Sequence, residues 1–168
     1  MKTLTLMAEE VAELLRQRGD TIVVAETSTG GLISSALLAV PGASAYYKGG
    51  SVLYTYESRK ILLGMKRQDV AGLAPMSEAM VMAFARKAQA QFASTWAIAE
   101  LGIAGPTDVA YGEAGSSVIG IAGPNPVAAL LNTGSNARED NMWRFTEHAL
   151  SLLCKALSEA SGPPHSSL

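Results

Sequence analysis

The sequence predicts an α/β protein, a three-layer α/β/α sandwich in which helices cover both faces of a mixed β-sheet. Short apolar runs typical of buried strands alternate with segments of helical periodicity along the 168 residues, and this alternation favours a layered sheet. We expect the sheet to be mixed because Val127 to Leu131 can return as the hairpin partner of the strand before it. The length predicts one domain over residues 1–160, followed by a flexible tail over 161–168.

The spacing of apolar residues, and the residues that interrupt it, predict the helices and strands in chain order. Apolar positions at helical spacing predict a helix over 5–18, and Gly19 offers a left-handed residue to end it. A strand over 21–25 then leads through a glycine turn into a helix over 32–38. Asn136, with a glutamate three residues later, resembles a capping box that opens the closing helix. The other predicted elements are strands at 51–55, 96–104, 116–122 and 127–131, and helices at 58–63 and 77–94.

Composition excludes several kinds of partner and site. A hydrophobic share of 48% supplies a core, and 13 Lys and Arg against 15 Asp and Glu offer no basic face to a nucleic acid. The single cysteine, Cys154, and two histidines provide neither an internal disulfide nor a zinc cluster. Because the sequence has no long apolar segment and no secretory signal, we expect no membrane partner and a cytoplasmic location.

Two glycine-rich turns, 27–31 and 105–115, follow predicted strands, where ligands bind in open α/β sheets. In the first turn, Thr29, Gly30 and Gly31 would point bare N–H groups outward at a helix start, as a phosphate requires. The hydroxyls of Thr27 and Ser28 would add donors. Equally, Thr29 can simply cap the helix while the glycines permit close packing. Neither a GxGxxG nor a P-loop pattern is present, which argues against an ordinary dinucleotide or triphosphate site.

A tyrosine cluster follows the first turn. On the predicted strand Tyr54 and Tyr56 share one face, turned toward a pocket or a subunit contact, whereas the alternative is packing in a core or an interface. The cluster consists of Tyr46, Tyr47, Tyr54 and Tyr56.

Histidine-based catalysis is not indicated, since His148 falls in the closing helix pattern and His165 in the tail. A serine nucleophile would instead need a tyrosine or lysine as its base, and Ser44, Tyr54 and the Arg59–Lys60 pair are close together in sequence. Further candidates for polar roles are Glu26, Glu100, Asp108 and Glu113, of which the last two are most simply solvated loop residues.

Several motifs together resemble one family. Residues 25–31 read AETSTGG, which is similar to the AESCTGG signature of the CinA C-terminal domain family. Residues 102–107, GIAGPT, resemble its GIAGPTG, residues 41–45, PGASA, its PGSSA, and residues 52–55, VLYT, its VTYS. The spacing also agrees, so the resemblance covers nearly the whole chain.

The resemblance implies a nicotinamide mononucleotide deamidase, which hydrolyses the carboxamide to nicotinic acid mononucleotide and ammonia. It implies Ser44 as the nucleophile, Tyr54 in proton transfer, and Lys60 or Arg59 as the cationic partner. It implies a small nucleotide as the partner. We also expect a homo-oligomer, and hydrolysis by this route requires no metal and no cofactor. The substrate-binding residues by resemblance are Glu26, Thr27, Ser28, Thr29, Gly30, Gly31, Gly105, Pro106, Thr107 and Arg138.

The chain also departs from the family pattern. Arg59 stands where the family has its catalytic lysine, and a guanidinium stays charged, so it can orient or stabilise an anion but cannot serve as a base. Thr27 and Ser28 replace the Ser-Cys of the signature, and Met142 replaces a second late arginine. Two alternatives therefore stay open: a catalytically silent member that binds a nucleotide or forms an oligomer, and hydrolysis of a different amide.

Overall fold

A five-stranded mixed sheet forms the centre of the structure, a computed structural model that describes residues 3–160. Its strands are β1 (Ile22–Glu26), β2 (Tyr47–Val52), β3 (Trp96–Ile103), β4 (Ser116–Ala122) and β5 (Val127–Asn132). In the order β2-β1-β3-β4-β5, the first three are parallel, and β4 and β5 continue the sheet antiparallel. The predicted mixed sheet and its closing hairpin are confirmed, while the predicted tail at 161–168 lies outside the described residues.

Helices cover both faces of this sheet, which confirms the three-layer α/β/α sandwich. They are α1 (Leu4–Arg18), α2 (Leu32–Ala39), α3 (Tyr56–Leu62), α4 (Glu78–Phe92) and α5 (Arg138–Glu159). One apolar cluster joins α1, α2 and α5 to one face, and another joins α4 to the other face. Because β1 and β3 are covered on both faces, their sequences are continuous apolar runs rather than alternating ones.

The prediction for β2 is wrong. The strand runs over Tyr47–Val52, not over 51–55, and it lies at the edge of the sheet. Its residues alternate between half-buried and exposed and include two glycines, so it lacks the apolar run that marks the central strands. Tyr54 therefore lies beyond the strand and Tyr56 opens α3, so the two tyrosines do not share a strand face.

Tyr46 packs in the core. This agrees with the alternative in which the tyrosine cluster serves packing. The Tyr46 ring is 1% exposed, and its hydroxyl donates to the Leu37 carbonyl at 2.5 Å. By contrast, Tyr54 and Tyr56 are 60% and 81% exposed.

The capping box predicted at Asn136 is also wrong. The N-cap of α5 is Ala137, which has no side-chain capping bond. Asn141, one turn into the helix, instead anchors this end: its amide donates to the carbonyls of Ala104 and Ser135, and its oxygen accepts from Thr133 at 2.6 Å. The start of α5 is thereby tied to the end of β3. The candidate site lies at this end of the strands.

Candidate functional site

The carboxyl ends of β1, β2 and β3 meet at one edge of the sheet, and most of the predicted site residues lie there. β1 ends in Glu26 and the turn 27–31, β3 runs into the loop 104–107, and β2 leads to Tyr54. This edge is where ligands bind in open α/β sheets.

Glu26 closes the beginning of α2. Its carboxylate is fully buried and accepts hydrogen bonds from the N–H groups of Ile33 and Ser34, at 3.2 and 3.0 Å, and from the Thr29 hydroxyl at 2.6 Å. A negative charge at a helix N-terminus is stabilised by the unpaired N–H groups and by the helix dipole. The protein thus supplies its own anion where the sequence suggested a bound phosphate.

Glu100, on β3, is a second fully buried carboxyl group beside Glu26. Its Oε2 accepts from the N–H groups of Thr27 and Thr29, at 2.9 and 3.2 Å, and its Oε1 lies 2.5 Å from the Ser28 hydroxyl oxygen. Burial raises the pKa of Glu100 above its usual range, against the lowering effect of these hydrogen bonds, and the nearby Glu26 raises it further.

Both oxygens of Glu100 accept hydrogen bonds. Oε2 faces the N–H groups of Thr27 and Thr29, and Oε1 accepts from the Ser28 hydroxyl. The Thr29 hydroxyl directs its own single proton to Glu26, its nearer neighbour, at 2.6 Å against 3.1 Å to Glu100. The turn therefore lies on two buried carboxyl groups, and burial raises the pKa of one of them, Glu100.

The predicted bare N–H groups of this turn are largely used within the protein. Those of Thr27 and Thr29 bind Glu100, and that of Gly30 binds the Thr27 carbonyl at 3.2 Å. The idea that Thr29 caps α2 is also wrong, because the N-cap is Gly31 and the Thr29 hydroxyl binds carboxyl groups. Gly30 and Gly31 have φ values of +63° and +99°, which explains the two glycines by backbone conformation.

Arg138 joins two of the other predicted residues. Its guanidinium donates to the Gly105 carbonyl at 2.5 Å and to the Tyr54 hydroxyl oxygen at 3.1 Å. Since Tyr54 follows β2 and Arg138 opens α5 beside the end of β3, this link crosses the carboxyl end of β1. Pro106 and Thr107 follow as exposed residues of the same loop, which Asp108 closes by accepting from the Ala114 N–H at 2.8 Å.

A cavity of about 760 Å³ opens at the same edge, on the α4 face of the sheet. Thr27 and Gly102 contribute its wall at the strand ends, and Tyr56 and Tyr111 contribute aromatic rings. Four cations line it: Arg59, Lys60, Lys66 and Arg67. Its apolar lining consists of Met65, Val70, Leu73, Pro75, Met76, Met80, Phe84 and Leu101.

Arg59 is held firmly in the wall of this cavity. Its Nε donates to the Leu53 carbonyl at 3.2 Å, and its guanidinium carbon lies 5.3 Å from the ring centres of both Tyr56 and Phe84. Such stacking suits the planar guanidinium better than an ammonium group. Lys60 follows it on α3 and is exposed, and both side chains line the cavity.

Ser44 lies beside the amino-terminal end of β2, whereas the cavity lies at the carboxyl ends of the strands. Ser44 belongs to a short 3-10 helix before β2, next to Pro41, whose carbonyl accepts from Arg16 in the last turn of α1. The six residues of β2 separate Ser44 from Tyr54, which corresponds to roughly 20 Å or more at the usual rise of a strand. The structure therefore does not bring the predicted catalytic set together within one chain.

Sequence reasoning missed Lys66, Arg67 and Tyr111. Adjacent cations just after an apolar segment, in a chain with few charges, were the available signal for the first two. Nothing in the sequence indicates that they face the strand ends, because Gly64, with a φ of +65°, lies between them and α3 and interrupts any helical pattern that would place them. Within residues 3–160 no group of three or more His, Cys, Asp or Glu residues could hold a metal ion, and no helix is long and apolar enough to cross a membrane.

The comparison with known proteins agrees with the motifs and with the fold. A model of the CinA C-terminal domain matches residues 4–157. The chain belongs to the CinA C-terminal domain family. It is 33% identical to a CinA-like protein of Chlorobium limicola over 95% of the chain and 38% of that protein. The chain spans well under half the length of the curated relatives that it matches.

Solved structures of CinA proteins share the architecture. The competence damage-inducible protein A of Klebsiella pneumoniae superposes with a TM-score of 0.86 at 25% identity, covering 95% of this chain and all of that one. The competence/damage-inducible protein of Agrobacterium tumefaciens gives a TM-score of 0.83, also at 25% identity, over 95% of this chain and all of its own. The CinA domain assigned from the motifs is thus confirmed at the level of family and fold.

Proposed function

We propose that this CinA domain binds a nicotinamide nucleotide in the cavity beside the strand ends and hydrolyses its carboxamide to a carboxylate and ammonia. The observation that carries the proposal is the cavity itself: four cations and two tyrosines around an apolar lining. Its volume of about 760 Å³ lies in the usual range for small-molecule sites, about 300–1,000 Å³.

The two kinds of lining suit the two ends of such a ligand. A phosphate would bind to Lys66 and Arg67, whose ammonium and guanidinium groups donate charge-assisted hydrogen bonds. The pyridine ring would lie against Tyr56 and the methionine side chains. This arrangement replaces the predicted phosphate position at the turn 27–31, where the Glu26 carboxylate already accepts the N–H groups that open α2.

Amide hydrolysis by acyl transfer needs a nucleophile, a charge that stabilises the tetrahedral oxyanion, and a proton donor for the departing ammonia. Arg59 stays cationic and is fixed by Leu53 and two rings, so it can stabilise an oxyanion. Tyr54 accepts a hydrogen bond from Arg138, which leaves its own hydroxyl proton available for transfer. The resemblance implies Ser44 as the nucleophile, but Ser44 lies at the other end of β2, so hydrolysis requires a serine that the cavity of one chain does not itself supply.

A second function, nucleotide binding without turnover, is favoured by one specific observation. The residues that line the cavity include no serine and no cysteine in the part of the chain that the structure describes. Arg59, in addition, cannot replace a lysine as a base. On this reading the domain would bind the nucleotide with the same residues and would release no ammonia.

The test is release of ammonia and nicotinic acid mononucleotide from nicotinamide mononucleotide, with binding followed in parallel by calorimetry. Turnover that disappears in Ser44→Ala supports the hydrolase. Binding without turnover in the wild type supports the second function, and absence of both refutes the proposed site.

A matched pair of variants tests the position of the phosphate. The Lys66→Ala, Arg67→Ala double variant should weaken binding by roughly 10- to 100-fold for each charge-assisted hydrogen bond that is lost. Arg86→Ala removes an exposed cation of α4 that does not line the cavity, and it should bind as the wild type does. Equal affinity in both variants would exclude Lys66 and Arg67 as phosphate ligands.

A further inference from the structure

Tyr111 is an aromatic residue of the cavity wall that the folded chain itself does not use. Its side chain lines the cavity, and the residue is 56% exposed. Within residues 3–160 its hydroxyl has no hydrogen-bond partner and its ring has no cation stacked on it. Because ligand sites combine an apolar lining with a few aromatic rings, a ring left open at a cavity is a surface for a ligand.

The turn that carries Tyr111 is fixed by its own backbone. Val109 and Gly112 exchange both of their N–H to carbonyl hydrogen bonds, at 2.9 and 3.2 Å, so Tyr111 lies at the corner of a two-residue hairpin. Asp108 accepts from the Ala114 N–H at 2.8 Å and closes the base of this turn. A ligand therefore does not have to order the turn before it can contact the ring.

The packing of Gly112 holds the turn close to the cavity. A Cβ added at this glycine would lie 2.5 Å from Cδ1 of Ile103 and 3.9 Å from Cγ of Met76. Ile103 is the last residue of β3, and Met76 belongs to the apolar lining. Only a residue without a side chain permits this approach, so Gly112 sets the distance between the turn and the cavity wall.

Tyr56 brings a second ring to the cavity from a different part of the fold. Its helix, α3, follows β2, whereas the turn of Tyr111 follows β3, and β1 lies between these two strands. Two strand spacings, about 10 Å, separate β2 from β3. Arg59 covers one face of the Tyr56 ring, yet the residue is 81% exposed. The two rings therefore reach the cavity from opposite sides of the end of β1.

From these observations we infer that Tyr111 is a specificity-determining residue of the cavity: its ring stacks on the flat heterocycle of the ligand, opposite Tyr56, so that nucleotides bind in preference to sugar phosphates. The inference rests on the proposed function and adds to it the residue that recognises the heterocycle. Stacking tolerates different bases, because every base has a π-face. Tyr111 therefore selects for the presence of a ring and not for the carboxamide on it.

The test compares two probes that share a ribose phosphate and differ in the heterocycle, nicotinamide mononucleotide and ribose 5-phosphate, by calorimetry. The wild type should bind the nucleotide more tightly. Tyr111→Ala should weaken the nucleotide by roughly 5- to 150-fold, as for the loss of one base–aromatic stack, and should leave the affinity for ribose 5-phosphate unchanged. Tyr111→Phe keeps the ring and should bind both probes as the wild type does.

Val109→Ala is the matched control within the same turn. Val109 is 40% exposed and does not line the cavity, so this variant should bind both probes as the wild type does. Equal weakening of both probes in Tyr111→Ala would overturn the inference, because the ring would then not be what the tyrosine recognises. A loss in Val109→Ala as large as that in Tyr111→Ala would overturn it too, since the turn and not its ring would matter.

Kinetics separate recognition of the ring from chemistry. Loss of a contact that is equally strong in the ground and transition states raises KM and leaves kcat unchanged, so Tyr111→Ala should raise KM and keep kcat within about twofold. A lower kcat at unchanged KM would overturn the inference. If the wild type binds nicotinamide mononucleotide and Tyr111→Ala binds it equally well, only the role of Tyr111 fails. If the wild type binds neither probe, the proposed site fails, and the inference with it.

Discussion

Replacement of Glu100 by glutamine tests whether this buried side chain, whose pKa is raised by burial, serves the fold as a neutral group. In Glu100→Gln the amide oxygen can accept from the N–H groups of Thr27 and Thr29, and the NH₂ group can donate to the Ser28 hydroxyl oxygen. We expect the glutamine variant to fold and to keep near wild-type stability at neutral pH. Glu100→Ala leaves two buried N–H groups without an acceptor.

The cost of the alanine variant follows from those two groups. Each buried unsatisfied donor costs about 1–3 kcal/mol, so Glu100→Ala should lose about 2–6 kcal/mol of unfolding free energy. That is a large part of the 5–15 kcal/mol typical of a folded domain. The measurement is urea unfolding of the wild type and both variants at pH 7.

The pH dependence provides the sharper assay. Burial raises the pKa of Glu100 in the folded state, so the folded protein binds more protons than the unfolded one between the ordinary value, about 4.3, and the raised one. The contribution of this group is fully present below the ordinary pKa and is lost as the pH rises through the raised pKa. Its slope reaches about 1.4 kcal/mol per pH unit, and Glu100→Gln should lack it.

Two results would refute the prediction that Glu100 serves the fold as a neutral group. One is a glutamine variant as unstable as the alanine variant, which would mean that Glu100 is needed as a carboxylate. The other is the same dependence of unfolding free energy on pH in the wild type and in Glu100→Gln, which would mean that Glu100 does not titrate in that window.

Three further predictions concern the site and its anchors. Asn141→Ala should lower the unfolding free energy by about 2–4 kcal/mol, because the Ala104 carbonyl and the Thr133 hydroxyl lose their hydrogen bonds to Asn141. Thermal unfolding measures this loss, and a change under about 0.5 kcal/mol would contradict the prediction. Tyr54→Phe should lower kcat with little effect on KM, because the variant lacks the transferable hydroxyl proton and keeps the ring. An unchanged kcat in the ammonia assay would exclude Tyr54 from proton transfer. Gly30→Val should lower the unfolding free energy measured in urea by about 1–3 kcal/mol, because the residue has a φ of +63° and an added Cβ would lie 3.1 Å from Met142. Unchanged stability would mean that the turn can relax.

Much of the fold could be predicted because it depends on local pattern. The continuous apolar runs of β1 and β3 and the helical period of α1 and α4 all lie close to their predicted bounds. The start of α5 was misjudged for a physical reason: Asn141 obtains its partners from the Ala104 and Ser135 carbonyls, which are remote from the local sequence window. In β2, packing against β1 outweighs a weak pattern with two glycines.

The sequence by itself determined the family, the α/β class and the identity of the groups available for chemistry, because these depend on residue types and their spacing. Only the tertiary structure decided which of those groups meet. It joined Tyr54 to Arg138, moved Lys66 and Arg67 into the cavity, and set two carboxyl groups beneath the turn that had suggested a phosphate site. It also separated Ser44 from the cavity by the length of β2, since residues close in sequence lie far apart when an extended strand runs between them.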